Sequence, residues 1–402
     1  MVATGSGDDG GQVVGRGEPV HVYLDHAAST AVDDRVLAAM LPYFSEHHGN
    51  ASSLHTFGQE ARTGVATARA QVAALIGAQP SEIVFTSGAT EADNLAVLGV
   101  ALAQEERGRH IVTSAIEHPA VLESCRFLEN LGYSVTYVPV DGRGLVDPED
   151  VRRALRPDTA LVTVMAANNE IGTVQPVLEI GRMTRERGIP FHTDATQMVG
   201  ALPMRVDAMG IDLLSISGHK RYGPKGVGAL YIRRGTPCRR IQHGGEHERG
   251  RRGGTENVPG IVGLGVALQL AGELMEEERI RVSTLRDRLM TRALTIPGAR
   301  LNGDLTCRLP NNVNLSFEGT DGQSLVIGLD LQGVAASSGS ACTSGSIEPS
   351  HVLLALGLAP EWAAAAVRLT LGRRTTEAEV DCAAAVLEDV VSKTRRGAPS
   401  KV

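Results

Sequence analysis

The chain has 402 residues, enough for two domains around substantial cores, and its 42% hydrophobic and 21% charged content is ordinary for a globular protein. With 39 basic against 46 acidic residues the net charge is −7, which gives no reason to expect nucleic acid as a direct partner. No uninterrupted apolar run approaches the roughly 18 residues of a membrane span, no secretory signal opens the chain, and the five scattered cysteines form no Cys-x-x-Cys pair, which argues against a disulfide framework or a cysteine zinc site and suits a reducing cytoplasm.

Residues 1–21 are glycine-rich without apolar periodicity and read as a disordered tail. Val22-Tyr23-Leu24 forms a short strand ending at Asp25 to Thr30, and Asp33-Asp34 opens an amphipathic helix through Tyr43 with an acidic first turn. After a polar loop, Gly58 to Gly77 reads as a helix from its alanines and its spaced Val72, Leu75 and Ile76. His47, His48 and His55 show no carboxylate at metal-binding spacing and read as a solvated or substrate-lining loop. Glu82 to Thr86 is a strand, Ser87 to Thr90 a small-residue turn and Glu91 to Gln104 a helix. Unsatisfied N–H groups at such a helix start attract an anion, and glycine lets it approach closely; a helix simply capped by Thr90 fits the same residues.

His110 to Ser114 is the next strand, leading to Glu117-His118-Pro119, where the proline suits the first turn of a helix carrying Cys125 on its inner face. Strands follow at Ser134 to Val138 and Ala160 to Met165, the second ending in Asn168-Asn169, residues that also suit a plain turn. Two apolar runs, Ile189 to His192 and Asp212 to Ile216, end in polar residues, as buried strands do at a sheet edge. Asp194 lies just past the first end, and Ser217, His219 and Lys220 past the second. Gly226 to Ile232 adds a strand free to run antiparallel. Strands separated by helices from 82 to 232 require a wound, mostly parallel or mixed sheet and exclude an all-α or all-β chain.

A carboxylate and a lysine from neighbouring strands suit pyridoxal phosphate, which needs an amine to hold its aldehyde carbon and an acid beside its pyridine nitrogen. Ser217 and His219 are placed to bond its phosphate; a surface lysine and a turn-capping Asp remain the plainer alternative. In His243 to Asn257, Arg249, Arg251 and Arg252 suit phosphate or nucleic acid, but interleaved glycines and Glu246, Glu248 and Glu256 weaken the nucleic-acid version. Pro259 to Glu278 reads as a long helix joining two domains and Leu285 to Leu294 as another, alternating with Val313 to Phe317 and Leu325 to Leu329 in a smaller α+β unit. Ala335 to Ser346 is built of small and hydroxylic residues with nothing to anchor it in a core, which predicts a mobile loop and an exposed, reactive Cys342. Arg368, in a strand-like run, suits a two-bond clamp on a carboxylate or a surface ion pair.

The runs His192-Thr193-Asp194-Ala195-Thr196-Gln197, Ser217-Gly218-His219-Lys220 and Ser337 to Ser344 resemble motifs of the class V aminotransferase family, specifically its cysteine desulfurases of the mobile-loop, nitrogen-fixation and iron–sulfur-cluster subgroup. The likeness runs from about Val22 to about Val390. It implies the fold of pyridoxal-phosphate-dependent transferases of fold type I: a large domain at 30–279 with a mostly parallel seven-stranded sheet flanked by helices, a smaller α+β domain at 22–29 and 280–395 carrying the Cys342 loop, and a tail at 396–402. It also implies pyridoxal 5′-phosphate held by Ala89, Thr90, His118, Asn169, Asp194, Gln197, Ser217, His219 and Lys220, with Thr255 reaching in from the other subunit of a homodimer.

By the same resemblance Asn169 and Arg368 hold the carboxylate of L-cysteine, Lys220 takes its α-proton, His118 stacks on the ring and handles protons, and Cys342 receives the sulfur as a persulfide while alanine leaves. No metal is expected beyond a passing contact of Cys342 with an iron–sulfur cluster. Related enzymes continue into a tail that docks an iron–sulfur scaffold, whereas this chain stops at Val402. The sulfur-acceptor protein is therefore open among iron–sulfur assembly, tRNA or DNA thiolation and a sulfur-containing metabolite. A selenocysteine lyase or another enzyme of the same fold shares many of these residues, and a sulfur carrier or scaffold-binding protein without turnover is the non-enzyme alternative.

Overall fold

The computed structural model describes residues 21–338 and 349–397; all but the last residue of the expected tail at 1–21, Cys342 with its immediate neighbours, and residues 398–402 lie outside the described residues. Twelve strands are described: β1 (Val22–Tyr23), β2 (Ile83–Thr86), β3 (His110–Ser114), β4 (Ser134–Val138), β5 (Thr159–Thr163), β6 (Phe191–Asp194), β7 (Leu213–Ser217), β8 (Gly228–Ile232), β9 (Ala299–Leu301), β10 (Asn312–Phe317), β11 (Val334–Ala335) and β12 (Ala366–Thr370). A seven-stranded sheet has the order β2-β8-β7-β6-β5-β3-β4. Only β8 runs against its neighbours, pairing antiparallel with β2 and β7, while β3, β4, β5, β6 and β7 pair in parallel.

Helices cover both faces of this sheet, so β3, β5, β6, β7 and β8 are buried along their whole lengths, the usual state of parallel strands. Phe191, Val162, Leu214 and Ile216 belong to the core on one side, and Val84, Ile111, Leu161 and Leu213 to that on the other. The register Thr193↔Leu214 and Asp194↔Ser215 sets the ends of β6 and β7 side by side. Ligands of wound sheets bind beyond the carboxyl ends of such strands, and that is where this chain opens a cleft.

A second sheet, β12-β10-β9, is antiparallel, and β1 pairs in parallel with β11. Leu24, Leu289, Leu315, Leu325, Leu369 and Leu387 form its core. The two expected helices at 259–278 and 285–294 are one continuous helix, Val258–Ala293. The intervening Arg279 to Thr284 contains no Gly or Pro to stop it, and Val282, Leu285 and Leu289 carry the buried stripe across the join. It is the one described helix apolar and long enough to cross a membrane, but it buries Ile261, Leu264 and Leu268 as a core helix does.

Other boundaries moved for local reasons. The helix expected from Asp33 to Tyr43 is Asp34–Met40, because Pro42 begins a separate short helix, Pro42–Ser45. The apolar run Leu325 to Leu329 lies in a helix, Gly322–Asp330, where burial of Gly322, Leu325 and Leu329 follows helical spacing and Asp321 caps the start. Gly88, not Thr90, occupies the cap position of the helix Ala89–Ala103, and no side chain caps it.

Candidate active site

The cleft, about 910 Å³, is lined from the carboxyl ends of β2, β3, β5, β6 and β7 and closed on one side by the turn after β1 and by Arg368 of β12. Ala89, Thr90, His118, Asn169, Asp194, Gln197, Ser217, His219, Lys220 and Arg368 all line it. Thr255 does not: it is exposed and borders a separate depression of about 140 Å³ with Ser87, Gly226 and Arg252. A larger hollow of about 1130 Å³ between residues 139–150, 174–179 and 279–310 contains none of the expected residues. Its buried Arg308 is already bonded to three backbone carbonyls, at Asp304, Asn312 and Asn302.

Lys220 follows β7 in a single 3₁₀ turn, Gly218–Lys220, and its Nζ donates to the carbonyls of Ala27 and Ala28, 2.7 Å each. Gln197 Nε2 donates to the same Ala27 carbonyl at 3.1 Å. Asp194, buried at the end of β6, accepts the Thr196 N–H at 2.9 Å on Oδ1. His118 caps the helix Pro119–Asn130, its Nδ1 accepting the Ala120 N–H at 3.1 Å, with Pro119 in the first turn as the sequence suggests. His219 sits 3.3 Å from Ser29 Oγ, and burial, followed by Lys220 and Lys225, pushes its pKa down to about 4, so it is neutral at pH 7.

Arg368 is 2% exposed, which removes the surface ion pair as a reading. Nη2 donates to Asp25 Oδ1 at 2.9 Å and Nη1 to the Asn169 carbonyl at 3.1 Å, while its buried Nε has no hydrogen-bond partner among the described residues. Ser337 pairs with Arg368 backbone to backbone. His47, by contrast, lies outside the cleft, half-exposed against Glu60.

Three buried acids escaped the sequence reading. Burial raises Glu117 to about 8, against the opposing bonds from Ser114 and the Met165 N–H, and Glu170 to about 7, against Ser350 and Arg368. Asp93 is pushed well above the carboxylate range by burial and by Asp194, against the opposing pull of Ser215, and its Oδ1 lies 3.6 Å from His192 Nε2. Asp93 was detectable in principle, since it lies four residues before Val97 on the buried face of a largely apolar helix. Asp25 and the pair Glu91–Arg252 gave no local signal.

The donor set fits pyridoxal 5′-phosphate. Lys220 is an amine of the kind its aldehyde needs, Asp194 an acid of the kind its ring nitrogen needs, and the uncapped helix start at Gly88 with Ser217 and His219 offers donors of the kind its phosphate needs, all in one cleft. An added Cβ at Gly88 would meet nothing within 4 Å, so open space faces that turn.

Comparison with known proteins agrees with this fold and this cofactor. Cysteine desulfurase IscS of Dictyoglomus turgidum is 50% identical over 381 residues, 94% of this chain and 97% of that protein. A solved structure described as a NifS-like protein is 41% identical with a TM-score of 0.88, covering 93% of this chain and 100% of its own. Another, of SspA in complex with cysteine, is 40% identical with a TM-score of 0.78 and covers 87% of this chain and 98% of its own. The aminotransferase class-V model matches residues 22–382, and the chain belongs to that family, among its pyridoxal-phosphate-dependent cysteine desulfurases.

Proposed function

We propose that the cleft divides desulfuration of L-cysteine among its residues as follows. Bound pyridoxal phosphate, held by Lys220, Asp194, Gln197, His118 and the Ser87 to Thr90 turn with Ser217 and His219, supplies an electron sink for the substrate α-carbon. Arg368 and Asn169 hold the substrate carboxylate, with the Asp25 carboxylate fixing the guanidinium. Lys220 Nζ takes the α-proton, and Asp194 holds a proton at the ring nitrogen. His118, capping its helix from the cleft wall, moves protons at the substrate sulfur. Cys342, having given up its thiol proton, then takes that sulfur: an S–S bond forms, the substrate C–S bond breaks with its electron pair left on the β-carbon, and that carbon takes a proton so that L-alanine leaves.

The observation that carries this reading is the delivery of Lys220 and Asp194 by adjacent strands to one cleft, faced by the buried Arg368 from the other sheet. Cys342 lies outside the described residues, but each flank of its segment is anchored beside a cleft-lining residue: Ser337 pairs with Arg368, and Ser350 Oγ donates at 2.5 Å to Glu170, next to Asn169. Of the described cysteines, Cys125 and Cys238 are poor nucleophiles, since burial pushes both thiols up to about 12.

The large unit at 30–279 and the small unit at 22–29 and 280–395 would then close the cleft between them. Thr255, exposed and absent from the lining of its own cleft, supports a homodimer in which it serves the partner's phosphate. An acceptor protein takes the persulfide sulfur, and the four described cysteines, all free, suit a reducing cytoplasm. Lys220→Ala tests the assignment: bound-cofactor absorbance and alanine production should both vanish, and alanine release at the parent rate would overturn it.

A further inference from the structure

Glu91 adds a second negative charge where the cofactor phosphate is proposed to sit. It lies in the first turn of the helix whose start, on the reading above, takes the cofactor phosphate, and it lines the same cleft. A helix N-terminus favours one negative group, so a bare Glu91 would compete with the phosphate for the same positive potential and repel it. The carboxylate is instead capped by Arg252, with Nε to Oε1 at 2.8 Å and Nη2 to Oε2 at 3.2 Å. Oε2 also accepts the Ser87 N–H at 2.8 Å, which fixes the turn itself. Both side chains are largely shielded, 18% and 14% exposed, so the pair is not an ordinary surface contact. Burial favours the neutral acid, but the bonds from Arg252 and Ser87 outweigh it and hold Glu91 below the usual carboxylate range.

Arg252 is itself held. Gln242 Nε2 donates to the Gly253 carbonyl at 2.8 Å and the Gly253 N–H to the Gln242 carbonyl at 3.1 Å, closing the loop that carries Arg252, three residues before Thr255. The loop is thus fastened to the phosphate turn by one bidentate pair spanning 161 residues of sequence.

We propose that Arg252 is a positioning residue for the cofactor phosphate: it cancels the charge of Glu91, keeps the Ser87 to Thr90 turn in shape, and ties phosphate retention to the loop 242–255. This rests on the assignment of the phosphate to that turn. Its signature is a rescue that a merely structural arginine would not show. Once Arg252 is gone the harm comes from the uncovered Glu91 charge, so neutralising Glu91 should undo it.

The experiment titrates cofactor-free protein with pyridoxal phosphate and, separately, with pyridoxal, which lacks the phosphate, following absorbance. Arg252→Ala should weaken pyridoxal phosphate roughly tenfold or more, the scale of an unscreened charge contact in a shielded site, and leave pyridoxal within about twofold. Adding Glu91→Gln to Arg252→Ala should restore most of the lost affinity. An Arg252→Ala protein that binds pyridoxal phosphate like the parent, an equal loss for pyridoxal, or no rescue by Glu91→Gln would each overturn the proposal. If Arg252→Ala does not fold, Arg252→Lys and Glu91→Gln alone decide it: both should stay within about threefold of the parent, and a larger loss in Glu91→Gln would overturn it. A parent that failed to take up pyridoxal phosphate would instead sink the underlying assignment.

Discussion

Arg368→Lys tests how the cleft grips its substrate. The guanidinium is 2% exposed, with one terminal nitrogen on Asp25 at 2.9 Å, the other on the Asn169 carbonyl at 3.1 Å, and Nε without a partner among the described residues. Nε and the second hydrogens of both terminal nitrogens therefore remain to meet a carboxylate. Lysine keeps a positive charge beside Asp25 but offers a single nitrogen, so at least one charge-assisted bond to the substrate is lost. Such a bond contributes about 1.5–3 kcal/mol, which corresponds to a fall in kcat/KM of about 10- to 150-fold. The carboxylate is held before and during the reaction alike, so most of the loss should appear in KM. The assay is alanine release against cysteine concentration, with bound-cofactor absorbance and melting temperature as controls. A kcat/KM within about threefold of the parent, or a loss confined to kcat, would refute the assignment.

Asp194→Asn should keep the fold but lower alanine turnover about a hundredfold or more, since the amide cannot hold the ring nitrogen's proton; turnover within tenfold of the parent, roughly, would count against it. Gly228→Ala places a Cβ 2.5 Å from the Ile216 carbonyl oxygen and 2.7 Å from Gly88 C, so it should lower the melting temperature, by about 1–3 kcal/mol of overpacking, and loosen cofactor binding through the displaced turn. Unchanged cofactor affinity would show that the turn does not matter. Glu117 keeps a proton in the folded state up to pH about 8 that the unfolded chain releases near its ordinary pKa of 4.5. Its stabilisation is therefore full below about 4.5 and is lost as pH rises toward 8, in the same direction as for Glu170. Glu117→Gln should flatten the decline of melting temperature over that window, and an identical slope in parent and variant would disprove the neutral Glu117.

The sheet was readable because β5, β6 and β7 are short apolar runs closed by polar residues, and because adjacent parallel strands must leave those polar ends at one edge. Lys220, Asp194 and Asn169 were legible for that reason: each is fixed by the strand it follows. The helix Val258–Ala293 was misread because a charged stretch such as Glu276-Glu277-Glu278-Arg279 looks like a boundary, whereas only a backbone stop signal ends a helix. What sequence could not show depends on contacts between distant segments. Asp25 meets Arg368 across 343 residues and Glu91 meets Arg252 across 161, and nothing local marks either pair. Asp93, Glu117 and Glu170 drew no assignment from the sequence because charged residues are seldom buried, and only packing reveals that these are.

The central claim is that one thiol receives the substrate's sulfur at the mouth of a cleft built around Lys220. Mass spectrometry of peptides after brief incubation with L-cysteine tests it most directly. The added sulfur atom should appear on Cys342 and be missing in the Lys220→Ala protein. Sulfur carried instead by the exposed Cys307, or on Cys342 in equal amount without Lys220, would contradict the account.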